Sequence, residues 1–470
     1  MTEQLFNLGG IDLYKNPLTS EGSFLKATNV DSYPFGGIKK RPGYVTFGGT
    51  TNGSTVQNIF QWTNDTGSQS YLYAKKGNVL QFYDVTAGTG DWVTCGNGTF
   101  SGTAFVSHAV LANTLVVGDG VGSTRHTTNG TSFTDTSGAP IAYGLEQYQG
   151  RIYAIGTNTL FWSSAGSPTN WSGVSPADSS SIQIPGEGKV LGITKIADRL
   201  QLHKKAGNMF RWDGDDLVDM STNYAMSSSQ SYAKTEDYGF WLNREGIYGS
   251  GGDKPELISN AIQPYIYNDF GSGIAGTVFD NAPAACFRFD YYVSVGSIAD
   301  DITRGTISNA VIKYNYQKNL YYIYSFANRP TALGMYEDNS GVEHLLFGDS
   351  AGQVYKFGGT ATSDNGTPIE AQCEMVITGG QADKFKHWQE YSAFFNPGSK
   401  AKLQVGISDT FRRDSIQLTE IGDTSEGAIH WRFPQGTRSK LAYLKVYENS
   451  TGPSFQWYGH AVDFDISNTR

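Results

Sequence analysis

Between Val56 and Gly359 one unit keeps returning: a short apolar strand, a turn centred on glycine or asparagine, and a second apolar strand. It reads as 70–74 with 79–83, then 111–117 followed by a glycine-rich turn and a strand near Thr124. Next come 150–155 with 159–162, 199–203 with 209–212, and 238–242 with 247–248. The sixth unit joins 291–295 to the longer pair 310–314 and 320–324, and the last is 344–348 with 353–357. A lone hairpin cannot bury both faces, so such units must stack on one another. Their mean spacing of about 45 residues is the length of a four-stranded propeller blade. Closing the array into a ring removes the open edges that a linear stack would leave. The expectation is a seven-bladed β-propeller, with a pair of β-sandwiches built from the same hairpins as the alternative.

Composition agrees with an all-β chain. Fifty-seven glycines and 13% aromatics, with only 17% charged residues, favour short strands and tight turns. No stretch of eleven or more residues carries the i, i+3, i+4 apolar pattern of an amphipathic helix. From Pro368 the texture shifts to simple alternation, with strands expected at 370–377, 388–395, 401–407, 429–433, 441–447 and 455–466. That number of strands suits a β-sandwich. The chain therefore divides into an extended arm at 1–47, a propeller at 48–363 and a C-terminal sandwich at 364–470.

The arm has no helical period and no long apolar run. Single anchors such as Ile11, Phe24, Val30, Ile38 and Tyr44 are threaded between polar and turn-forming residues. Such a segment buries too little surface to fold alone and must lie across something else. It ends at Arg41-Pro42-Gly43-Tyr44, where proline and glycine suit the two corners of a type II turn. The order Gly9, Gly10, Ile11, then Pro17, then Asn29, Val30 and Asp31, then Gly37, Ile38, Lys40, Arg41, Pro42 and Gly43 resembles the N-terminal signature of bacteriophage tail nozzle proteins. These are also called tail tubular protein B, and tail stabilisation and hub proteins share the lead-in.

The resemblance implies a structural virion protein. It would form a homo-oligomeric ring, sixfold in the nozzle family, below the portal and adaptor. The ring would continue the DNA channel and help to retain and then release the genome. Implied partners are the tail adaptor and other tail proteins, with DNA passing through without specific binding. The implied location is the virion tail, after folding in the host cytoplasm. This chain departs from the long nozzle proteins in being much shorter, a departure that bears on the inserted peripheral domains that carry fibres in those relatives and on their gate loops.

Charge fits that picture. The 35 basic and 44 acidic residues give −9, and an acidic protein is a poor nonspecific binder of phosphate backbones. Cys95, Cys286 and Cys373 are odd in number and far apart, giving neither a disulfide framework nor a zinc pattern. The first twenty residues show no secretory signal, and no apolar run is long enough to span a membrane, so no membrane insertion is expected.

The search for chemistry returns no catalytic, cofactor-binding or metal-binding set. Gly186-Glu187-Gly188-Lys189 is followed by Val190, which places no hydroxyl for magnesium. Gly118-Asp119-Gly120-Val121-Gly122 joins strand to strand with no helix to hold a phosphate. Trp212-Asp213-Gly214-Asp215-Asp216 lacks the acidic spacing of a calcium loop and reads as a hairpin turn. Residues 127–133 resemble a degenerate Asp box, a structural turn of sialidase-type propellers. Two rival functions stay open. One is a propeller that binds host-surface carbohydrate through Trp62, Trp92, Trp162, Trp171 and Trp212; the other is a glycosidase with two carboxylates converging from distant blades.

Overall fold

A computed structural model describes residues 2–5, 8–13, 22–32, 36–49, 53–88, 90–102, 104–172, 179–205, 207–220, 224–267, 273–300, 305–380, 382–410, 416–452 and 454–467. Pro17 of the signature lies outside them. Strands dominate, and the α-helix among the described residues is a single turn, Gln263–Ile266.

Six sheets have four antiparallel strands each, and in five of them successive strands pair with their neighbours in sequence. The first runs Val56–Thr63, Ser70–Lys76, Val79–Asp84 and Val93–Thr99. Its middle hairpin has the register the alternation predicts, with Tyr73 opposite Phe82 and Lys76 opposite Val79. In the second sheet the strands differ from the sequence reading. The run 111–117 is a hairpin corner, not one strand, because Ala112 and Asn113 take φ of 47° and 60° and join Ser107–Leu111 to Thr114–Gly118. Two consecutive left-handed residues make the turn whose twist matches paired strands.

The sheets pack in a closed order. The inner strand Ser107–Leu111 packs on Gly144–Tyr148, which packs on Val190–Ile196. Ala233–Lys234 packs on Ala284–Phe287, that strand on Ala332–Glu337, and Ala332–Glu337 returns to Val56–Thr63. Phe60, Tyr73, Val106 and Leu115 form the core shared by the first and second sheets. Ile196, Met209, Trp241 and Tyr248 join the fourth to the fifth. This is a β-propeller. Its last sheet is completed from the other end of the chain, since Tyr44–Phe47 supplies the fourth strand beside Val354–Phe357.

Ala284–Phe287, Asp290–Asp300, Gly305–Asn315 and Leu320–Ser325 belong to a larger, ten-stranded sheet. Lys26–Thr28 of the arm lies parallel to Leu320–Ser325 on one side and antiparallel to Ile369–Ile377 on the other. The sheet then continues through Leu441–Ser450, Lys402–Ser408 and Thr419–Asp423. A second sheet of seven strands is built on Phe385–Phe395 and Gln456–Ser467, and the arm adds Thr2–Leu5, Val30–Ser32 and Ile38–Lys40 to it. Cys373, Leu403 and Val446 from the first sheet share one core with Tyr391, Phe395, Trp457 and Phe464 from the second.

Candidate functional site

The signature residues converge where the arm, the propeller and the C-terminal sheets meet. Asn29 starts the knot. Its φ of 57° is a left-handed conformation that asparagine tolerates better than most residues, and it turns the chain between two strands. Its side-chain oxygen accepts from Arg41 Nε and from Ser325 N, both at 2.7 Å, and its Nδ2 donates to Glu370 O at 2.7 Å.

Arg41 is fully buried. Beyond the bond to Asn29, Nη1 donates to Pro42 O at 3.0 Å and to Asp364 Oδ1 at 2.7 Å. Nη2 donates to Ser325 O at 2.9 Å and to Asp364 Oδ2 at 2.7 Å. All five guanidinium donors are thus matched, two of them in the parallel fork that only arginine offers a carboxylate. The Phe326 and Tyr324 rings lie 4.5 and 5.6 Å from the guanidinium carbon. Asp364 was missed by sequence reasoning, which saw residues 364–368 only as a boundary. It also accepts from Ala327 N at 3.1 Å, so one carboxylate ties three distant segments together.

One buried and one half-buried ionic cluster flank this knot. Lys40 Nζ donates to Glu448 Oε1 at 2.6 Å and to Ser450 O at 3.0 Å, with neither ionic side chain exposed. Lys313 Nζ stands between Asp31 Oδ1 at 2.5 Å and Asp290 Oδ2 at 3.1 Å. The rings of Tyr292, Tyr322 and Tyr324 surround it at 5.8 to 5.9 Å. Burial pushes the Asp290 carboxyl up, against the opposing pull of Lys313.

The glycines act by absence of a side chain. A Cβ on Gly10 would meet Tyr321 O at 2.8 Å, and one on Gly37 would meet Trp457 O at 2.7 Å. Gly9 donates to Gly22 O at 2.8 Å, and Ile11 is buried with its N–H on Tyr321 O at 3.0 Å.

The expected type II turn at Pro42-Gly43 is not formed. Gly43 is outside the left-handed region, and the backbone runs on into Tyr44–Phe47. Glycine is required there because a Cβ would overlap the carbonyl of Ser363. Gly43 N donates to Ala361 O at 2.7 Å and its carbonyl accepts from Gly358 N at 2.9 Å, so the close approach is locked on both sides.

Two arrangements look catalytic. Asp31 and Asp290 are the carboxylate pair that a glycosidase would need from distant segments, and they face a cleft of about 610 Å³. Lys313 Nζ fills the space between them, where a sugar's reacting carbon would have to sit. On the C-terminal sheet, Ser392 Oγ lies 2.8 Å from His430 Nδ1 and Glu390 Oε1 lies 3.9 Å from that same nitrogen. A nucleophile–base–orienter set needs the two partners on opposite ring nitrogens, so this trio is not arranged as one. Among the described residues no three His, Cys, Asp or Glu side chains are placed to hold a metal.

Four of the five tryptophans offered for carbohydrate are core residues, and Trp162 is half-buried. Trp62, Trp92, Trp171 and Trp212 are all buried, and Trp162 stacks on Trp212 at 5.4 Å. Glycine-rich loops and aromatic hairpins do not reveal which ring faces inward. The remaining motifs are turns. Asn129 Oδ1 accepts from Thr131 N and Ser132 N, with Gly130 at φ 75° and Phe133 buried. Asp213 Oδ1 caps Asp215 N and Asp216 N in the same way, and these backbone donors hold its carboxyl below the usual range.

No family model matches the chain, and no curated protein matches it. Its fold is similar to solved β-propellers at low identity. YCF48 bound to a D1 peptide covers 67% of this chain and 97% of its own, at 9% identity and a TM-score of 0.42. The β-propeller domain of Cps50 (Swd1) from Myceliophteria thermophila covers 68% and 99%, at 8% identity and a TM-score of 0.43. The WD40 propeller domain of Doa1 covers 67% and 97%, at 10% identity and a TM-score of 0.40.

Proposed function

We propose that this chain is a structural component of a bacteriophage tail, a nozzle or hub protein that assembles into a ring. The observation that carries the reading is the use made of the signature. Asn29 and Arg41 form a buried knot with Asp364, flanked by the ion pairs of Lys40 with Glu448 and of Asp31 with Lys313 and by the close approach at Gly43, and each of these contacts ties distant segments of the chain together. A signature spread over some thirty-five residues and devoted to architecture suits a part that must bear load in a particle.

The ring is a homo-oligomer, a hexamer by the resemblance, with the tail adaptor above it and DNA passing through without specific binding. Seven blades are counted when the strands from Ala284–Phe287 to Leu320–Ser325 are taken as the sixth, and the C-terminal pair of sheets is read as a sandwich. An obligate ring needs subunit interfaces of roughly 2,000 Å² or more. The test is the mass of the purified assembly by light scattering or native mass spectrometry. A closed ring, sixfold by expectation, supports the reading; a stable monomer at micromolar concentration in the presence of the tail adaptor overturns it.

A further inference from the structure

Lys313 differs from an ordinary ion-paired lysine in that its amine stands between two carboxyl groups from separate sheets. Asp31 belongs to Val30–Ser32 in the seven-stranded sheet, whereas Asp290 and Lys313 belong to Asp290–Asp300 and Gly305–Asn315 in the ten-stranded one. Lys313 Nζ lies 2.5 Å from Asp31 Oδ1, so the carboxyl carbon is one bond further on. Ser32 N donates to that same oxygen at 2.9 Å. Asp290 Oδ2 touches the amine from the other side at 3.1 Å, while its Oδ1 accepts from Asn315 Nδ2 at 2.7 Å.

The surroundings keep water from the amine. The Lys313 side chain is 4% exposed, and the rings of Tyr292, Tyr322 and Tyr324 stand around it. Taking opposite charges out of water favours the neutral amine and neutral acid over the ion pair. Burial also raises the Asp290 carboxyl against the pull of Lys313, and the charge of Asp31 adds to the rise, which favours a proton on Asp290. Asp31 and Asp290 both border the cleft of about 610 Å³, which gives a small product a way out. Lys40 lacks this arrangement. It is as close to Glu448, at 2.6 Å, but its other acceptors are the carbonyls of Ser450 and Gly452 and not a second acid.

We propose that Lys313 and Asp31 join as an intramolecular amide cross-link, with Asp290 relaying the protons. The ammonium first gives a proton to the Asp31 carboxylate, leaving an amine and an acid. The Nζ lone pair then forms a bond to Asp31 Cγ, and the Ser32 N–H steadies the charge that builds on Oδ1. Asp290 hands its proton to the Oδ2 hydroxyl and takes one back from Nζ. The Cγ–Oδ2 bond breaks and water leaves through the cleft. One amine and one carboxyl give one amide and one water, Asp290 ends as it began, and nothing is oxidised or reduced. Well-oriented groups within one molecule reach effective molarities of about 10⁵–10⁸ M, which drives a condensation that free amines and acids do not undergo in water. The link would fasten the arm covalently to the body of the chain. It concerns one protomer and holds whether or not the chain forms a ring.

The test is the intact mass of the full-length protein in denaturant, expected to fall one water short of the sequence mass. A tryptic digest is expected to contain a branched peptide joining 27–39 to 305–318, because an acylated Lys313 is no longer a cleavage site. On a denaturing gel the linked chain, closed over 282 residues, should run ahead of Lys313→Arg, which keeps the charge but not the amine. Asp290→Asn leaves both reacting groups in place and is expected to slow the condensation at least about 100-fold, so that the fresh variant keeps its full mass. Should that variant fail to fold, the wild-type mass and digest decide alone. Full sequence mass in the wild-type protein overturns the inference, as does a lost water that maps anywhere other than Asp31 and Lys313. A cross-link as complete in folded Asp290→Asn as in the wild type overturns the relay.

Discussion

Arg41 meets an acceptor at each of its five N–H groups without any exposure to solvent. Removing one partner of such a pair leaves an uncompensated charge behind, which costs more than the pair itself contributes. Arg41→Ala is expected to lower stability by about 3–5 kcal/mol in urea unfolding, and Arg41→Lys to recover only part of it, since an ammonium cannot form the fork. A loss under about 0.5 kcal/mol would mean that the knot holds nothing together. Histidine supplies a second residue-scale prediction. His460 is fully buried with neither ring nitrogen partnered among the described residues, and burial lowers its pKa to about 4; His203, also fully buried, is lowered to about 3. Both stay neutral when folded, whereas the unfolded chain takes up their protons near pH 6.5. The stability they allow is therefore complete above pH 6.5 and declines as pH falls towards 4, by a few kcal/mol at about 1.4 kcal/mol per pKa unit. His460→Leu is expected to flatten that slope between pH 7 and 4.5 in thermal melts. An unchanged slope would refute the assignment.

Strands explain why much of the fold was legible and where legibility stopped. The hairpin from Ser70–Lys76 to Val79–Asp84 is announced by alternation and a Lys-Gly-Asn corner, both local. The six C-terminal strands expected from alternation were all found within a few residues, while Thr419–Asp423, mostly exposed, was missed because it carries a single apolar anchor, Ile421. Tyr44–Phe47 was read only as the end of the extended arm, and its place in the last sheet was not legible because its partner lies more than three hundred residues away. Tyr44 there is buried against Phe347, Tyr355 and Phe326, with ring centroids at 4.8, 5.0 and 5.6 Å, and its hydroxyl donates to Asn328 Oδ1 at 2.9 Å. Tyr44→Ala empties that seat. It is expected to cost about 3–5 kcal/mol, the usual range for deleting a large buried aromatic. Native-state hydrogen exchange should show the loss first in Val354–Phe357, the strand that Tyr44–Phe47 covers. Protection lost uniformly over all sheets would argue against a local latch.

For the whole molecule the decisive element is Lys26–Thr28, three buried residues that make one sheet of what the sequence divides into propeller and C-terminal unit. Nothing in three residues of sequence signals that role, because a bridge is defined by its two neighbours and not by its own pattern. The Glu448 and Asp364 carboxylates and the Asn29 amide, which donates to the Glu370 carbonyl, add side-chain ties across the same junction. Calorimetry of the full chain is accordingly expected to give a single cooperative transition, and 48–363 and 364–470 made separately should be protease-sensitive. Two well-separated transitions would show that the shared sheet does not couple the parts.

The closing strand also imposes an order on biosynthesis. Phe47 pairs with Val354, so the first strand of that pair leaves the ribosome 307 residues before the second. At roughly 5–20 residues per second the arm must wait on the order of 15–60 s for its seat to exist. Throughout that interval Tyr44 and Phe47 hang from a nascent chain with their apolar rings uncovered. The glycines and charged residues interspersed along 36–43 dilute those rings, as gatekeeper residues do beside an aggregation-prone strand. A ribosome that stalled between residue 48 and residue 354 would therefore carry an unclosed propeller, an obvious substrate for holdase chaperones and proteases.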